Sequence, residues 1–492
     1  MNKLNLIEAV FCLLISAFIC GCSNNAATPQ YELSKKDLVD FVNTRYQAYF
    51  HINMCTFKNL NSPKKIYHRT DGNEPPTMWN PTGMDCEQWA DAVIAARMTG
   101  GWLTTKHHGG FCLWDSKYTD FDVASSNVKT DVVKLFVEAF RKKGLKVGLY
   151  YSILDYHHGI VNGKVSKEEI EFLKNQITEL LTDYGPIDYI NFDGWSTWPT
   201  TPTFDDIPYY ELFKAVKAAQ PNCLIISHVY ESNLAHTDIP FTDAGSRSYP
   251  LHPDYMRPAG SSHQSQTGWF WNKKYRVKRS IKFILKNLNS YNSHNAVYIL
   301  NLGPGPDGRI QDDAIERVKE VAAVWRRPAD LKLSDIGDNW GYMYDVNKNL
   351  AFLKPVTQSS THKFILDRRA YPRAEIAIDG VTEGNLKMEQ TSYTKEESQP
   401  WWQVDLVDLC DIDKITIYNR TDAEMDRLSD YNVYVLGADG KKVWSSHQTT
   451  FPNPSVTLST GCVTGRFVKI QLTGKSYLHL AEVIVEGKPS AK

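Results

Sequence analysis

The sequence predicts an α/β domain followed by an all-β domain. Strand-like apolar runs alternate with amphipathic helices from about residue 40 to residue 327, whereas short segments of period-two alternation follow from about residue 355. The length of 492 residues is too great for one ordinary hydrophobic core, which also indicates at least two domains. Repeated strand–helix units favour either a closed parallel barrel or an open doubly wound sheet.

The elements of the α/β domain, residues 31–327, can be assigned in chain order. The helix after Ser166 has the clearest pattern, because Ser166 and Glu169 have capping-box spacing and Gly185 with Pro186 ends the helix. Strands are predicted at residues 46–51, 101–105, 145–152, 187–192, 223–228 and 296–302. The other helices are predicted at residues 85–97, 131–143, 208–219, 276–291 and 312–325.

The C-terminal part of the chain has a different pattern. Residues 328–354 are predicted to form a short, strand-rich connector. Residues 355–488 contain no convincing long helix, and their alternating segments predict an all-β sandwich. Those segments lie at residues 401–406, 412–418, 431–436 and 466–472.

The N-terminus is predicted to be a lipoprotein signal peptide, residues 1–22. Lys3 precedes an apolar run over residues 4–19 that is too short and imperfect for a comfortable membrane span. The run ends in Cys20-Gly21-Cys22, which resembles a bacterial lipobox. We therefore expect lipidation at Cys22, with cleavage by an ordinary signal peptidase as the alternative. The protein is expected to be an exported periplasmic or cell-surface lipoprotein of a Gram-negative-type bacterium, bound to a membrane only through that anchor.

The composition excludes several function classes. The chain has 55 basic and 56 acidic residues, so its net charge of -1 favours a neutral partner over nucleic acid. No glycine-rich phosphate loop lies at a strand–helix turn, which argues against nucleotide use. The cysteines after residue 22 show no paired metal-ligand spacing, so zinc is not expected, and disulfides stay open as a possibility. The sequence gives no indication of an oligomeric state.

The segment over residues 187–195 is the most informative for function. An apolar strand runs into Asp193, Gly194 and Trp195, and chemistry in β/α barrels is carried at the C-terminal ends of the strands. A carboxylate beside an indole suits a glycosidase, because the carboxylate meets a developing oxocarbenium ion while the ring covers the apolar face of the sugar. The alternative is an ordinary loop or helix-capping aspartate.

Histidines and aromatic residues follow other predicted strands. His107 and His108 are expected to point in different directions, so sugar hydroxyls suit them better than a metal, and His51 has a similar position. Residues 150–152 could line the same opening at the C-terminal end of the barrel or belong to the core. Trp195 and Trp269 are candidate sugar platforms or packing residues. Residues 301–308 are interpreted as a turn without catalytic work.

Taken together, these segments resemble glycoside hydrolase family 29, the α-L-fucosidases. The resemblance covers about residues 40–327 and depends on ordered motifs at residues 50–57, 85–89, 103–114, 148–152, 189–194 and 300–304. It implies a barrel, a retaining mechanism with Asp193 as the nucleophile, and no metal or organic cofactor for catalysis. It also implies a fucose pocket formed by His51, His107, His108, Trp114 and Tyr151.

Two positions depart from the family pattern. Gly109 stands where relatives commonly have an aspartate, and Gly260 stands where many have the glutamate that would act as the acid/base. Glu231 lies where another branch of the family places this group, so we take it as the acid/base, with Asp238 and Asp243 as weaker candidates.

The C-terminal domain resembles discoidin-type sandwiches and the F-type fucose lectins. The likeness lies in residues 399–406, 418–422, 426–429 and 480–483. Arg420 and Arg427 have the spacing of the lectins' sugar-binding arginines, while Tyr393 occupies the position of their histidine. Glu424 and Met425 replace the lectins' cysteine pair, so Arg420 could instead form a structural salt bridge. The resemblance also implies a structural Ca²⁺ as a possibility.

The sequence therefore predicts a retaining exo-α-L-fucosidase that acts on a fucosylated oligosaccharide or glycoconjugate. Two alternatives stay open. L-galactose differs from L-fucose only by a hydroxyl at C6, which an apolar pocket rejects weakly, so the enzyme could be an α-L-galactosidase. A chain without its general acid could instead be a catalytically impaired glycan-binding surface lipoprotein.

Overall fold

The structure is a computed structural model. It describes residues 34–62, 65, 67–195, 199–228, 237–243, 258–336, 348–362, 372–388 and 390–490. The predicted signal peptide and Cys22 lie outside this range. Within the described ranges, no helix has both the length and the apolar character needed to cross a membrane.

Eight parallel strands of the described chain close into a barrel in sequence order. Ala48 of the first strand pairs with Gly101 of the second and with Leu300 of the eighth, so the sheet has no open edge. This closure confirms the barrel and excludes the open doubly wound sheet. The strands are β1 (Tyr46–Phe50), β2 (Gly100–Lys106), β3 (Lys146–Ser152), β4 (Tyr189–Asp193), β5 (Leu224–Ser227), β6 (Ile239–Asp243), β7 (Ala259–Gln264) and β8 (Ala296–Asn301).

Helices cover the outside of this barrel, and their caps follow the sequence signals. Ser166 and Glu169 form the predicted capping box, and the apolar stripe with Leu173 and Ile177 is buried. The helices are α1 (Lys35–Asn43), α2 (Met54–Leu60), α3 (Cys86–Ala95), α4 (Val132–Lys142), α5 (Lys167–Thr182), α6 (Tyr209–Ala219), α7 (Ile281–Asn292) and α8 (Asp312–Val324).

Several element predictions need correction. Strands β6 and β7 and helices α1 and α2 were not predicted. Strand β7 gives no apolar signal because it is rich in small polar residues such as Ser261 and Ser262, both fully buried. The helix expected from residue 276 begins at Ile281, since the hydroxyl of Ser280 accepts a hydrogen bond from the amide of Phe283 at 3.2 Å.

The C-terminal domain is antiparallel, as predicted. Its main sheet has the order β14-β13-β15-β12-β18, with β9 added beside β12, and β10 with β17 and β11 with β16 form two-stranded sheets. The strands are β9 (Val356–Gln358), β10 (Ser392–Tyr393), β11 (Glu397–Ser398), β12 (Trp401–Tyr418), β13 (Tyr431–Leu436), β14 (Lys442–Gln448), β15 (Ser455–Leu472), β16 (Lys475–Ser476), β17 (His479–Leu480) and β18 (Glu482–Pro489).

The segment between the domains is described in part. Among its described residues, 328–336 and 348–354, there is a short 3-10 turn at Leu333–Asp335 and no strand, while residues 337–347 lie outside the described ranges, so the strand-rich connector stays a prediction. The cysteines of the described chain are free thiols, buried except for Cys462, so the disulfides left open by the sequence are not formed there.

The C-terminal domain contacts the barrel beside α6. The guanidinium of Arg373 lies 5.5 Å from the ring centre of Phe204, and the amine of Lys354 lies 3.3 Å from the hydroxyl of Tyr210. Phe204 in turn packs against Trp195, two residues after Asp193. The C-terminal domain therefore supports the segment that follows β4.

Candidate active site

Asp193 is the last residue of β4 and lies at the C-terminal end of the barrel. Its Oδ2 accepts a hydrogen bond from the hydroxyl of Tyr150 at 2.7 Å, and its Oδ1 accepts one from the amide of Gly194 at 2.6 Å. The residue is 8 % exposed. Gly194 has a φ of +68°, and a Cβ there would lie 2.7 Å from the Cβ of Leu154, so the turn requires glycine. The carboxylate is thus held in one orientation.

Two imidazoles flank this carboxylate. Nε2 of His108 lies 3.8 Å from Oδ2 of Asp193, and Nδ1 of His228 lies 3.6 Å from Oδ1. Both histidines are buried, and each follows the end of its strand, β2 or β5. The arrangement surrounds one carboxylate with groups that can either donate or accept a hydrogen bond.

The ring of His107 lies against that of His108, at a centroid distance of 3.9 Å. The expectation that the two histidines point apart was wrong, because β2 ends at Lys106 and the alternation of strand side chains no longer applies. Burial, and then the neighbouring His108 and His51, lower the pKa of His107 well below its ordinary value. Its Nδ1 is buried without a hydrogen-bond partner among the described residues.

His51 and Trp269 complete the cluster. The His51 ring lies 5.0 Å from the Trp269 ring and 6.3 Å from the His107 ring. Trp269 is partly exposed, whereas the adjacent Phe270 is buried and packs edge-on against His107. The structure therefore brings together Asp193 and four predicted pocket residues, His51, His107, His108 and Trp269.

Tyr151 lies outside this cluster. Its hydroxyl donates to the amide oxygen of Gln176 in α5 at 2.7 Å and accepts from the amine of Lys106 at 3.0 Å. Successive side chains of a strand point to opposite faces, so Tyr151 faces the helix layer and Tyr150 faces the barrel interior. The sequence named the wrong tyrosine of the pair.

Two tryptophans also occupy packing positions rather than the cluster. The indole N–H of Trp114 donates to Glu179 of α5 at 3.0 Å, and Trp195 packs against Phe204 and Tyr209. Each indole is only 1 % exposed, so neither offers an open face to a sugar. The predicted roles of Trp114 and Trp195 are corrected accordingly.

Of the three candidates for the acid/base, the structure describes the side chain of Asp238 but not those of Glu231 and Asp243. Asp238 is buried, and its Oδ2 pairs with the buried Lys217 at 2.7 Å and accepts a hydrogen bond from the amide of Ile225 at 2.8 Å, which indicates a structural role. Glu231 lies outside the described residues, as does the side chain of Asp243, whose backbone ends β6.

Gly109 has a local structural explanation. A Cβ at Gly109 would collide with the hydroxyl of Thr70, a buried residue. Thr70 thus fills the space into which an aspartate at position 109 would project. The space left by the missing aspartate side chain at position 109 is therefore occupied by the side chain of Thr70.

Sequence reasoning missed two residues of the site, His228 and Asn301, and left Tyr150 open between the site and the core. Tyr150 and His228 contact Asp193, and Asn301 lies 2.8 Å from Nδ1 of His51. Asn301 ends its strand, His228 follows its strand, and Tyr150 lies two residues before the end of β3, so nearness to a strand end was the available signal. The Asn301 stretch had been interpreted as a turn only.

A second cluster lies in the C-terminal domain. The guanidinium of Arg420 bonds Asp422 at 2.6 Å and Glu424 at 3.2 Å, while that of Arg427 bonds Glu424 at 2.7 Å and the hydroxyl of Tyr393 at 2.9 Å. The structure therefore brings the two predicted arginines together, with a carboxylate between them. Salt bridging of Arg420 is also present, as the alternative reading expected.

Aromatic rings form the floor of this second cluster. Tyr393 stacks on His362 at 4.8 Å and meets His479 edge-on at 4.1 Å. Burial first, and then the charges of Arg420 and Arg427, lower the pKa of His479 to about 3. The imidazole of His479 is therefore neutral at pH 7.

Comparison with known proteins assigns the family. The profile described as "Alpha-L-fucosidase" matches residues 22–327, more than half of the chain. The chain belongs to the α-L-fucosidase family. A second profile, "NedA-like, galactose-binding domain", matches residues 376–470, within the antiparallel domain.

Similarity to individual proteins also supports membership of the α-L-fucosidase family. Alpha-L-fucosidase 1 of Arabidopsis thaliana is 30 % identical over 278 residues, which are 51 % of this chain and 54 % of the relative. The chain thus spans about half the length of the curated fucosidases it matches. Fucolectin-6 of Anguilla japonica is 28 % identical over 160 residues, 32 % of this chain and 85 % of the lectin.

A solved structure supports the barrel fold. The unliganded α-L-fucosidase of Lactobacillus casei superposes with a TM-score of 0.50 at 21 % identity, covering 59 % of this chain and 98 % of that one. At this identity the likeness shows the fold alone.

Proposed function

We propose that this chain is a retaining exo-α-L-fucosidase that releases terminal L-fucose from a fucosylated oligosaccharide or glycoconjugate. Membership of the α-L-fucosidase family supports the substrate class. The observation that carries the proposal is the Asp193 carboxylate, held by Tyr150 and Gly194 and flanked by His108 and His228 at the C-terminal end of the barrel.

In this mechanism, Asp193 attacks the anomeric carbon as the bond to the leaving oxygen breaks. A second carboxyl group protonates that oxygen, and the sugar becomes an ester of Asp193. The same group then removes a proton from water, which attacks the anomeric carbon and frees Asp193. Two inversions give retention. His51, His107 and His108 would bind hydroxyls, while Trp269 would cover an apolar sugar face.

We assign the acid/base to Glu231. This assignment depends on the family resemblance, and the structural role of Asp238 removes one competitor. A Glu231→Ala variant is expected to lose about 10²- to 10⁴-fold in the hydrolysis of substrates with poor leaving groups. Added azide should restore the rate on an aryl substrate. If azide rescues an Asp243→Ala variant and not Glu231→Ala, the assignment is wrong.

The direct test of the proposed function is hydrolysis of an aryl α-L-fucoside. Asp193→Ala should abolish release of fucose. Asp188→Ala is a matched control, because Asp188 is at the other end of the same strand and pairs with Lys146 at 2.7 Å. It should retain activity at temperatures where it is folded. Faster turnover of the aryl α-L-galactoside would favour the α-L-galactosidase, and glycan binding without any turnover would favour a binding protein.

We propose a second carbohydrate site in the C-terminal domain at Arg420, Arg427 and Tyr393. The similarity to Fucolectin-6 and the convergence of the two guanidinium groups support it. Titration of L-fucose into the Asp193→Ala chain should show two binding sites per chain, one of which Arg427→Ala removes. Unchanged binding in that variant would leave the arginines with a structural role.

A structural Ca²⁺ is also proposed for this domain. This proposal depends on the resemblance to the F-type lectins, since the part of the chain that the structure describes contains no group of three or more His, Cys, Asp or Glu side chains that could hold a metal ion. Chelator should lower the Tm of the purified chain, and added Ca²⁺ should restore it. An unchanged Tm would contradict the proposal. No cofactor is proposed for catalysis.

We propose export and lipidation at Cys22, which depend on the sequence pattern alone. A Cys22→Ser variant should lose incorporation of labelled fatty acid and leave the membrane fraction. Incorporation of label by that variant would contradict the assignment.

A further inference from the structure

Asn301, the last residue of β8, links His51 to the segment that carries Trp269. Its Oδ1 lies 2.8 Å from Nδ1 of His51, and its Nδ2 lies 2.8 Å from the carbonyl oxygen of Trp269. A carbonyl oxygen only accepts, so the amide NH₂ group must face Trp269 and the amide oxygen must face His51. Asn301 is fully buried, which fixes this orientation.

The orientation of Asn301 determines the tautomer of His51. Because the amide oxygen can only accept, Nδ1 of His51 must carry the hydrogen. In the neutral ring, Nε2 then holds the lone pair. Within the described ranges, titratable groups that face the His51 ring include Tyr49, His107 and Tyr150, at centroid distances of 4.7, 6.3 and 5.7 Å.

Ser152 determines the tautomer of His108 in the same way. Its Oγ lies 2.7 Å from the carbonyl oxygen of Leu154, and two oxygen atoms this close require the hydroxyl hydrogen between them. Oγ therefore accepts from Nδ1 of His108, also at 2.7 Å. Nε2 of His108 is directed toward Asp193, at 3.8 Å from Oδ2, and His107 lies against the other side of the ring.

We propose that Asn301 and Ser152 are positioning residues that hold His51 and His108 in the Nδ1–H tautomer, so that Nε2 of each accepts a hydrogen bond from a sugar hydroxyl. The proposal rests on the proposed function for its ligand, and it deepens that function by specifying the direction of two hydrogen bonds. A substrate must then present hydroxyl hydrogens to both rings. Analogues methylated at those hydroxyls are expected to be rejected strongly, because a methyl ether has no hydrogen to donate and a site built to hydrogen-bond a hydroxyl rejects an analogue that lacks it.

Two hydrogen-bonded relays, one through Asn301 to His51 and one through Ser152 to His108, explain why residues of separate strands are needed at the site. Asn301 belongs to β8 and Ser152 to β3, while the imidazoles follow β1 and β2. Each relay ends on a backbone carbonyl, Trp269 or Leu154, which cannot change its hydrogen-bonding role. The tautomers are therefore set by backbone geometry rather than by solvent.

The test uses Asn301→Asp in the full chain labelled with carbon-13 histidine. A carboxylate in place of the amide oxygen stabilises the imidazolium, so the pKa of His51 should rise by about one unit or more. The signal of His51 is assigned by its disappearance in His51→Gln. Asn292→Asp is the matched control, because Asn292 is a buried asparagine whose amide also bonds backbone carbonyls, those of Arg45 and Ala296 at the other end of the barrel.

The expected result is a raised His51 titration in Asn301→Asp and an unchanged one in Asn292→Asp. The acid limb of kcat/KM on an aryl α-L-fucoside should move upward with the His51 titration, because imidazolium offers Nε2–H where the sugar needs an acceptor. Asn301→Leu should lower kcat/KM about tenfold without moving that limb, since one hydrogen bond is lost.

Different failures have different meanings. A His51 ring that keeps the Nδ1–H tautomer in Asn301→Leu, read from its carbon-13 shifts, overturns the proposal, whatever the activity. A response in titration with an unmoved acid limb also overturns it, because the tautomer would then not matter for the reaction. Absence of turnover in the unmutated chain, together with the titration response, contradicts the proposed function and leaves the relay intact.

Discussion

Replacing Tyr150 by phenylalanine removes one oxygen atom from the site and leaves the ring. In the structure, that hydroxyl donates to Oδ2 of Asp193 at 2.7 Å, inside the barrel. The other close hydrogen bond to the carboxylate among the described residues comes from the amide of Gly194, which donates to Oδ1 at 2.6 Å. Tyr150→Phe therefore frees one of the two carboxylate oxygens.

The magnitude follows from the charge on the acceptor. A hydrogen bond to an ionised group is worth about 1.5–3 kcal/mol, which corresponds to about 10- to 100-fold in a rate or an equilibrium. Attack by Asp193 consumes its negative charge, so a hydrogen bond that only stabilised the free carboxylate would slow the reaction, and its loss would raise the rate. If the hydroxyl instead orients the carboxylate, its loss lowers kcat because the attack geometry is lost. We expect the second outcome, a fall of about 10- to 100-fold.

The assay is steady-state hydrolysis of an aryl α-L-fucoside, with Tyr151→Phe as the control. Tyr151 loses a hydroxyl of the same kind, but that hydroxyl bonds Lys106 and Gln176 in the helix layer. The control should lose stability and keep its kcat at a temperature where it is folded. Equal losses of kcat in the two variants, or a rate for Tyr150→Phe within about twofold of the unmutated chain, a change too small for a lost charged hydrogen bond, would refute the positioning of Asp193 by Tyr150.

Two further predictions concern stability. Burial disfavours ionisation of Asp155, but the charge of Lys106 and the hydrogen bonds to His158 outweigh burial and lower the pKa of Asp155. The stability that this pair contributes is therefore present above the unfolded pKa of about 3.9 and is lost as the pH falls. Asp155→Asn should destabilise the chain by about 3 kcal/mol or more at pH 7, measured by denaturant unfolding, because Lys106 is left buried and unpaired; a loss below about 1 kcal/mol would contradict the buried pair. Arg373→Ala should lower the free energy of unfolding by about 1 kcal/mol through the lost contact with the Phe204 ring, and a Tm equal to that of the unmutated chain would show that this contact between the domains contributes nothing.

The sequence predicted the strand ends of the barrel better than the direction of their side chains. Asp193 follows an apolar run and was placed correctly, because such runs are typical of strands buried on both faces. The same burial removes the polar–apolar alternation that would reveal which residue faces inward. Tyr150 and Tyr151 are both fully buried, so only the coordinates show that Tyr150 contacts Asp193.

Polar residues inside the barrel were the other source of error. Strand β7 consists largely of small polar residues and gives no apolar signal. Asn301 and His228 lie at the ends of predicted strands, but no local pattern marks them as residues of the site. Trp114 and Trp195 were expected to face a sugar, but an indole that packs under a helix has the same sequence signature as one that lines a pocket. These assignments depend on contacts between residues far apart in the chain, which local patterns do not contain.

The central claim is that Asp193 forms a covalent bond to the sugar. The most direct measurement is incubation with a 2-fluoro-substituted fucosyl fluoride, followed by mass analysis of the proteolytic peptides. The account predicts one fluorofucosyl group on the peptide that contains Asp193, lost on prolonged incubation as water attacks the ester. A label on a different carboxylate, or turnover of the aryl fucoside with inversion at the anomeric carbon, would contradict it.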